Sequence, residues 1–406
     1  MKIAIVSPYP PSQTTLNEYG YHLVKHFNDH SNVDEIVVLT DKLENGEKYL
    51  ENNSGSKIRI EEAWEFNSFK NIFSIRKSLK KHQPDVVLYN IQFLSFGDKK
   101  IPATLGLLSP LISRLSGIPS VTLLHNIIET VDLKKAGITD NKLFKFFFKI
   151  IGTILTKIIL QSNIVALTIP KYVDILIKKY NARNVIHMPH GTFEILEKPI
   201  FHETLQSPKS VMTFGKFGTY KKVEMLIEAI QIVRTRLGEK VPLVIAGTDN
   251  PNVKGYLQEV QSKYNNVEDL EFSGYVQEEE VPNIFKESSV VVFPYTSTTG
   301  SSGVLHQAGS YGKAAVLPLL GDLKELVEEE GYAGSYFDPY DVNSLAEAIF
   351  QVLKSDEIRV KLEKQNYLAA SALSMSKITQ DYVEIFNKLV FNNKQYNPSS
   401  QSPSIC

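Results

Sequence analysis

Cysteine is nearly absent from this chain of 406 residues, because Cys406 is the only one. A single cysteine forms no intrachain disulfide and no cysteine metal cage, which is typical of proteins from a reducing cytoplasm. The formal net charge is only −1, so no overall field attracts the chain to nucleic acid or to anionic lipid. We therefore expect a cytoplasmic protein without a nucleic-acid partner.

The motifs of several cofactor and metal enzymes are missing as well. The sequence contains no HExxH motif, no Cys/His cluster and no DxD with carboxylates at a strand end, so it predicts no metal site and no cofactor. The loop after the first predicted strand, SPYPPSQTTLNEYG, has prolines and threonines where a dinucleotide enzyme has G-x-G-x-x-G. This loop disfavours a nicotinamide dehydrogenase.

Short β-branched runs alternate with longer amphipathic segments along the whole chain. The apolar residues of these runs are continuous, which indicates strands buried on both faces of a parallel sheet. Amphipathic segments such as 223–237 and 345–353 predict the helices of βα units. Two series of such units predict an α/β protein with two doubly wound, Rossmann-like domains. The predicted strands are 2–7, 35–40, 85–91, 120–125, 164–168, 185–189, 210–215, 242–247, 271–276, 290–295 and 314–318.

A polar stretch that contains two prolines and lacks periodicity, 194–209, predicts the linker between the domains. We expect an N-terminal domain over 1–200, completed by about 376–393, and a C-terminal domain over 205–375. The helical pattern runs from Lys354 to about Asn393, and a last helix of that length can cross back onto the first domain. The polar, proline-broken tail 394–406 is predicted to be disordered.

One predicted helix, 142–160, is apolar except for Lys142, Lys145, Lys149 and Lys157. Four charges exclude a helix that spans a membrane. Because the first three lysines share one face, one interpretation is a basic amphipathic helix that lies on the inner membrane surface. The other is a core helix whose lysine side chains extend to solvent at its edge. Both stay open.

The loops that follow the strands are the candidate sites, since ligands of open α/β sheets bind beyond the carboxyl ends of the strands. Lys216, Lys221 and Lys222 cluster where a strand passes into a helix, and cations at a helix start favour an anion. The stretch 296–313, TSTTGSSGVLHQAGSYGK, exposes glycine and serine backbone before another helix, which also favours phosphate. Each loop alone is equally compatible with solvated lysines or a tight turn. Two such loops in one domain predict a diphosphate site.

His125 ends the apolar run 120–125 and is expected at the ligand edge of the first domain. A lone histidine at a strand end is also a common structural hydrogen-bonding residue. Both interpretations of His125 stay open.

Together these loops resemble the GT-B glycosyltransferases of family 4, which are retaining and use nucleotide sugars. The resemblance covers nearly the whole chain and implies two Rossmann-like domains that face each other across a cleft. The family's G-[RK]…K-G pattern is matched by Gly215-Lys216 and Lys221-Lys222, and its GYV segment by Gly274-Tyr275-Val276. Its E-G-F-G-x-x-x-x-E-A segment is matched by 299–316, TGSSGVLHQAGSYGKAAV.

The resemblance implies a role for each matching residue. Lys216 and Lys221, next to Gly215, would hold the donor diphosphate, and His125 would contact the transferred sugar. Lys216, Lys221 and His125 are the predicted catalytic residues. The backbone at Tyr275 and Val276 would read the base, and Thr14 and Thr15 stand at the acceptor side in place of a Gly-Gly pair. The other residues predicted to bind the nucleotide sugar are Thr299, Ser301, Ser302, Gly303, Val304 and Gln307.

The family's acidic pair is replaced in this chain by Thr299 and Gln307. The second glutamate of the family accepts hydrogen bonds from the donor ribose, and glutamine keeps one acceptor oxygen for that purpose. The first glutamate faces the sugar, and threonine is too short to reach the same point.

The sequence thus predicts a metal-independent, retaining hexosyltransferase without a cofactor, acting in polysaccharide biosynthesis. Its expected donor is UDP-glucose, and its expected acceptor is a saccharide or a lipid-linked saccharide. The alternative is a catalytically silent GT-B protein that binds a nucleotide sugar or a glycan as a sensor or assembly partner. The missing acidic pair favours this alternative, whereas Lys216, Lys221 and His125 favour the enzyme.

Overall fold

A computed structural model of the chain describes most of its residues. The described residues are 1–12, 14–43, 49, 57–93, 95–97, 99–130, 142–196, 199, 201, 209–250, 253–277, 279–297, 302–321 and 323–396, with only the backbone described at 100, 130, 142–149 and 394–396. They form two compact units, one of 1–189 with 375–406 and one of 190–374. The predicted linker, 194–209, falls in the range of the second unit, and much of it lies outside the described residues.

The first unit is built on a parallel sheet whose described strands are β1 (Lys2–Val6), β2 (Glu35–Asp41), β3 (Ile58–Trp64), β4 (Val86–Ile91), β5 (Ser120–Leu124), β6 (Ile164–Leu167) and β7 (Val185–His187). Their order across the sheet is β3-β2-β1-β4-β5-β6-β7, and every neighbouring pair is parallel. The central strands β1, β4 and β5 are almost completely buried, as their continuous apolar runs predict.

Helices of the first unit flank this sheet. They are α1 (Asn17–Asn28), α2 (Asn71–His82), α3 (Lys100–Leu107), α4 (Ser109–Leu115), α5 (Lys142–Ile159), α6 (Pro170–Tyr180) and, from the other end of the chain, α14 (Met375–Tyr396). The last helix packs on α1 through stacked rings of Phe27 and Phe386 and a tilted contact of Phe27 with Tyr382. The chain therefore returns to the first unit at its end, as predicted.

The second unit has a parallel sheet of the same kind, with β8 (Val211–Phe217), β9 (Leu243–Asp249), β10 (Leu270–Gly274), β11 (Val290–Val292), β12 (Ala314–Pro318) and β13 (Ser335–Phe337). The order is β10-β9-β8-β11-β12-β13. Its helices are α7 (Glu224–Leu237), α8 (Tyr256–Lys263), α9 (Val281–Glu287), α10 (Gly303–Ser310), α11 (Leu323–Glu329), α12 (Val342–Lys354) and α13 (Asp356–Ala372). Two parallel doubly wound sheets confirm the predicted fold class.

Four local predictions are corrected by the structure. Strands β3 and β13 were not expected, and both are outer strands of their sheets. The single helix predicted from Lys354 to about Asn393 is divided into α13 and α14 at Leu373 and Ser374. The run predicted as a strand over 290–295 leaves the parallel sheet after Val292, and Tyr295 instead forms an isolated antiparallel bridge with Lys221.

The apolar segment 142–160 forms helix α5, and the side chains of its first three lysines lie outside the described residues. In its described half, Leu155 and Ile159 are buried, whereas Ile150, Ile151 and Ile154 are 41–52% exposed. One face of α5 is therefore packed and another presents isoleucine to solvent. Among the described residues, no helix combines the length and the apolar character that crossing a membrane requires.

Candidate functional site

Lys221 is the one buried lysine among the described residues, with 8% of its surface exposed. Its Nζ lies 4.9 Å from the ring centroid of Tyr295 and 6.0 Å from that of Tyr220. Burial lowers the pKa of Lys221, and the neighbouring Tyr220 opposes that shift only in part. The ion pairs among the described residues include none to this ammonium group. A buried cation next to rings and away from carboxylates is costly, and a bound anion would offset that cost.

A glycine makes room for this ammonium group. A Cβ added to Gly215 would lie 2.7 Å from Nζ of Lys221, and the φ of Gly215, +135°, is one that side chains rarely adopt. The adjacent Lys216 is exposed on β8, level with Thr248 of β9. Lys216 and Lys221 are thus both brought to the carboxyl end of β8, one in solvent and one buried.

Tyr295 connects this lysine to the start of helix α10. Its ring faces Lys221, and its hydroxyl lies 3.0 Å from Oγ of Ser302. Ser302 precedes the helix, and its side chain makes no capping hydrogen bond to the first turn. The first N–H groups of a helix, here those of Gly303 and Val304, have no acceptor within the helix. A buried cation and a helix N-terminus therefore share one neighbour, Tyr295.

The other residues predicted for this site have no described contact with Lys221 or Tyr295. Gln307 lies on α10 and is half-buried. Tyr275, 71% exposed, and the buried Val276 follow β10, which β9 separates from β8. Thr299 and Ser301 lie outside the described residues.

Two histidines that the sequence analysis missed lie at the start of α10: His306, on the helix itself, is buried, and His190 is partly buried. His190 and His306 have ring centroids 5.0 Å apart, and a Cβ added to Gly303 would lie 3.8 Å from the ring of His190. Nδ1 of His306 is 2.9 Å from the hydroxyl of Tyr332, which can donate to it. Burial lowers the pKa of His190 to about 4 and that of His306 well below its ordinary value. These shifts favour neutral rings near pH 7, whereas the buried carboxylate of Glu330, 3.6 Å from Nε2 of His306, favours the charged form of that ring. The ring of His190 packs against His306 of α10 inside the unit.

We expect this histidine pair to make the protein less stable in acid. The pKa of His190 is about 4 when folded and 6.5 ordinarily, so between these values the unfolded chain binds a proton that the folded chain does not. The free energy of unfolding then falls as the pH falls, by about 2 kcal/mol for His190 alone at about pH 5. Urea denaturation at about pH 7.5 and pH 5 measures this change. In His190→Gln the acid-induced loss should be smaller; an equal loss in both proteins would contradict the assignment.

In the first unit, His125 follows β5 and is fixed by a line of hydrogen bonds. Its Nε2 lies 2.7 Å from Oδ1 of Asn90, whose Nδ2 donates to Oγ of Ser7 at 2.9 Å. The hydroxyl of Ser7 donates to the carbonyl of Pro8, so it accepts from Asn90, and Nε2 of His125 carries the proton in this arrangement. The ring also meets Tyr19 edge-on at 4.7 Å. The polar Asn90 inside the apolar run 85–91 was the sequence signal for this partner.

The loop after β1 is held by a carboxylate that the sequence analysis passed over. Asp41, at the end of β2, accepts hydrogen bonds from the hydroxyls of Ser12 and Thr14, the latter at 2.8 Å. Thr15 is exposed. A Cβ on Gly20 of α1 would lie 2.4 Å from the carbonyl oxygen of Pro8, so the close approach of helix to loop depends on Gly20.

Comparison with known proteins identifies a domain in the second unit. Residues 208–355 match the model of the family Glycosyl transferases group 1. A curated relative, the mannosylfructose-phosphate synthase of Agrobacterium fabrum, is 23% identical over 242 residues, which are 55% of this chain and 53% of that protein. The chain thus spans about half the length of this curated relative.

Solved structures resemble the chain over nearly its whole length. Sucrose-phosphate synthase from Thermosynechococcus elongatus superposes with a TM-score of 0.71 at 16% identity, covering 96% of this chain and 99% of that one. Anabaena Alr3699/HepE, solved in complex with UDP-glucose, gives a TM-score of 0.65 at 14% identity, covering 96% and 100%. The chain therefore has the GT-B fold and carries a glycosyl transferase group 1 domain at residues 208–355.

Proposed function

We propose that this protein is a metal-independent, retaining glycosyltransferase of family 4 that transfers a hexose from a nucleoside diphosphate sugar. UDP-glucose is the proposed donor, and a saccharide or lipid-linked saccharide is the proposed acceptor. The observation that carries the proposal is Lys221, a buried ammonium group without a carboxylate partner among the described residues, whose neighbour Tyr295 also contacts Ser302 at the start of α10. The group 1 domain around it and the UDP-glucose bound by the Anabaena protein support the donor class.

The reaction breaks the bond between the anomeric carbon and an oxygen of the diphosphate. The electron pair goes to that oxygen, so negative charge grows on the leaving nucleoside diphosphate. A hydroxyl oxygen of the acceptor forms the new bond to the anomeric carbon on the same face, and its proton passes to the leaving phosphate oxygen. Lys221, Lys216 and the N–H groups of Ser302, Gly303 and Val304 would stabilise that charge. Because Lys221 is held in place by packing before the donor arrives, little reorganisation is needed during the reaction.

The first unit supplies the remaining groups of the proposal. His125 would contact the transferred sugar, with its Nε2 proton oriented by Asn90. Thr14, held by Asp41, lies in the loop proposed for the acceptor. Gln307 would accept from the donor ribose in place of the family's glutamate, through its one carbonyl oxygen.

Nucleotide binding is the first test of this proposal. We expect UDP and UDP-glucose to raise the melting temperature of the purified protein in a concentration-dependent way, since a ligand of the folded state stabilises it by mass action. Binding should persist in EDTA and should be weaker in Lys221→Met. GDP and ADP measured in parallel identify the base. If no nucleoside diphosphate shifts the melting temperature, the proposal is wrong.

A catalytically silent binding protein is the second candidate, because Gln307 replaces an acidic residue that the family uses at the donor. Such a protein would bind UDP-glucose without cleaving it into UDP and glucose. Release of UDP from UDP-glucose, measured alone and with hexose phosphates or oligosaccharides added, separates the two candidates. Turnover that stops in Lys221→Met would establish the enzyme, and binding without any turnover would establish the binding protein.

A further inference from the structure

Three phenylalanine side chains of the first unit that have no role in the proposed sugar transfer are exposed. Phe66, Phe69 and Phe73 are 43%, 58% and 69% exposed, and Ile101 at the start of α3 is 62% exposed. Single exposed apolar residues are ordinary, but a contiguous group of large ones marks a contact surface.

These side chains belong to two segments that hydrogen bonds join. The backbone N–H of Asn67 donates to the carbonyl of Phe96 at 2.9 Å, and the N–H of Lys99 donates to Oδ1 of Asn67 at 3.0 Å. Helices α2 and α3 also pack on each other. The loop with Phe66 and Phe69 therefore lies next to the helix start that carries Ile101.

A row of cations continues this surface along α2. Phe73, Arg76, Lys77 and Lys80 have the spacing of one helix face, and all are exposed. No acidic residue occurs between Glu65 and Asp85, and these three cations form no ion pair with the described carboxylates. A chain with a net charge of −1 thus concentrates positive charge next to its exposed rings. We call Phe66, Phe69, Phe73, Arg76, Lys77 and Lys80 the aromatic–basic patch.

We propose that the aromatic–basic patch docks the first unit on a membrane surface that contains anionic lipid. Phenylalanine side chains enter the boundary between head groups and acyl chains, and the cations meet the lipid phosphates. A single-stranded nucleic acid would also match rings and cations. The aliphatic Ile101 favours the membrane, and so do the exposed Ile150, Ile151 and Ile154 of α5, because aliphatic side chains do not stack on bases.

The position of the patch gives the proposal a functional meaning. The loops after β3 and β4 lead to the patch, and the loop after β1 carries Thr14. Carboxyl ends of parallel strands lie at the same edge of a sheet, so Phe66 and Phe69, in the loop after β3, are at the edge proposed for the acceptor. The cations of the patch extend from there along α2. A lipid-linked acceptor would be presented there; this step rests on the proposed function, whereas membrane contact itself does not.

Vesicle flotation tests the contact independently of sugar transfer. The full chain should float with vesicles of phosphatidylcholine and phosphatidylglycerol, and a smaller fraction should float with pure phosphatidylcholine. High salt should reduce the fraction that floats with the anionic vesicles, because it screens the attraction to the lipid phosphates. We expect Arg76→Glu/Lys80→Glu, and separately Phe69→Ala/Phe73→Ala, to weaken binding by at least about tenfold. The same flotation with Lys221→Met should match wild type, so failure of the catalytic proposal would leave this result unchanged.

Matched variants elsewhere control for charge and for lost apolar surface. Lys361→Glu/Lys364→Glu on α13 makes the same change of charge, and Leu368→Ala/Phe391→Ala removes two other exposed side chains. Both should float like wild type. The proposal is overturned if wild type does not float, if the patch and control variants bind vesicles equally, or if an RNA oligonucleotide binds the patch while vesicles do not. It is also overturned if the wild-type protein is a dimer that does not float and Phe69→Ala/Phe73→Ala dissociates this dimer. The patch would then join two copies of the chain.

Discussion

Lys221→Met is expected to lower kcat by about 10²–10³ and at the same time to make the protein more stable. The rate falls because the growing charge on the diphosphate loses a preorganised cation. Stability rises because the buried ammonium, whose pKa is lowered by burial, is replaced by an apolar side chain of similar length. Steady-state UDP release from UDP-glucose measures the first effect, and urea denaturation without ligand measures the second.

Lys222→Met is the matched control, since it removes a neighbouring cation. Nζ of Lys222 lies 4.7 Å from the ring centroid of Tyr256, on a different element from Tyr295, and the side chain is only half-buried. Its kcat should stay within about threefold of wild type, the range expected when no charge-stabilising donor is lost. Equal rates for wild type and Lys221→Met would remove Lys221 from the site, and a large loss of stability would show that the lysine is structural.

Opposite effects on activity and stability would identify what Lys221 is for. A fold selected for stability alone has no need of a desolvated ammonium between Tyr220 and Tyr295, because an apolar side chain fills such a space at lower cost. A residue that costs stability is explained when a ligand supplies the missing charge. At saturating UDP, the ligand should therefore raise the free energy of unfolding of wild type more than that of Lys221→Met. The difference between the two increases should equal the difference in their binding free energies.

The sequence predicted the buried part of the fold well and its outer strands poorly. Central strands such as β1 and β4 are continuous apolar runs, because helices cover both faces of the sheet. The outer strand β3 lacks this pattern: Arg59, Glu61 and Glu62 interrupt it, and only its last two residues are buried. The other missed strand, β13, has only three residues, too few for any periodicity.

The candidate site was predictable as a set of loops but not as a geometry. Lys216 and Lys221 look alike in the sequence, yet one is exposed and the other is buried against Tyr295, a residue distant in the chain. That pairing depends on the antiparallel bridge between Lys221 and Tyr295, which no local pattern encodes. His190 and His306 were missed for the same reason, because each is a lone histidine until the fold brings their rings together.

Membrane contact shows a similar limit. The apolar composition and the lysines of 142–160 suggest a membrane-surface helix at α5, whereas α2 has the ordinary pattern of an amphipathic helix. Whether Phe73 is exposed depends on which face α2 packs on β3 and on α4, and only the tertiary structure decides that.

Gly247→Ala is expected to lower the free energy of unfolding by at least about 3 kcal/mol and to abolish UDP binding. A Cβ at this position would lie 1.9 Å from the carbonyl oxygen of Gly215, its partner across β8 and β9, and the φ of Gly247 is +134°. The backbone cannot yield without moving Gly215, and Gly215 is the residue against which the ammonium of Lys221 lies. Urea denaturation followed by circular dichroism measures stability, and calorimetry with UDP measures binding.

Gly238→Ala separates the clash from the backbone conformation. Gly238 also has a positive φ, +67°, but a Cβ there meets no atom within 4 Å. It should therefore cost only about 1–2 kcal/mol, the strain of the left-handed conformation, and should leave UDP binding unchanged. If both variants lose the same stability, the two strands are not packed as closely as described. If Gly247→Ala unfolds more easily but still binds UDP with wild-type affinity, the position of Gly215 does not control the lysine, and the proposed diphosphate site must lie elsewhere.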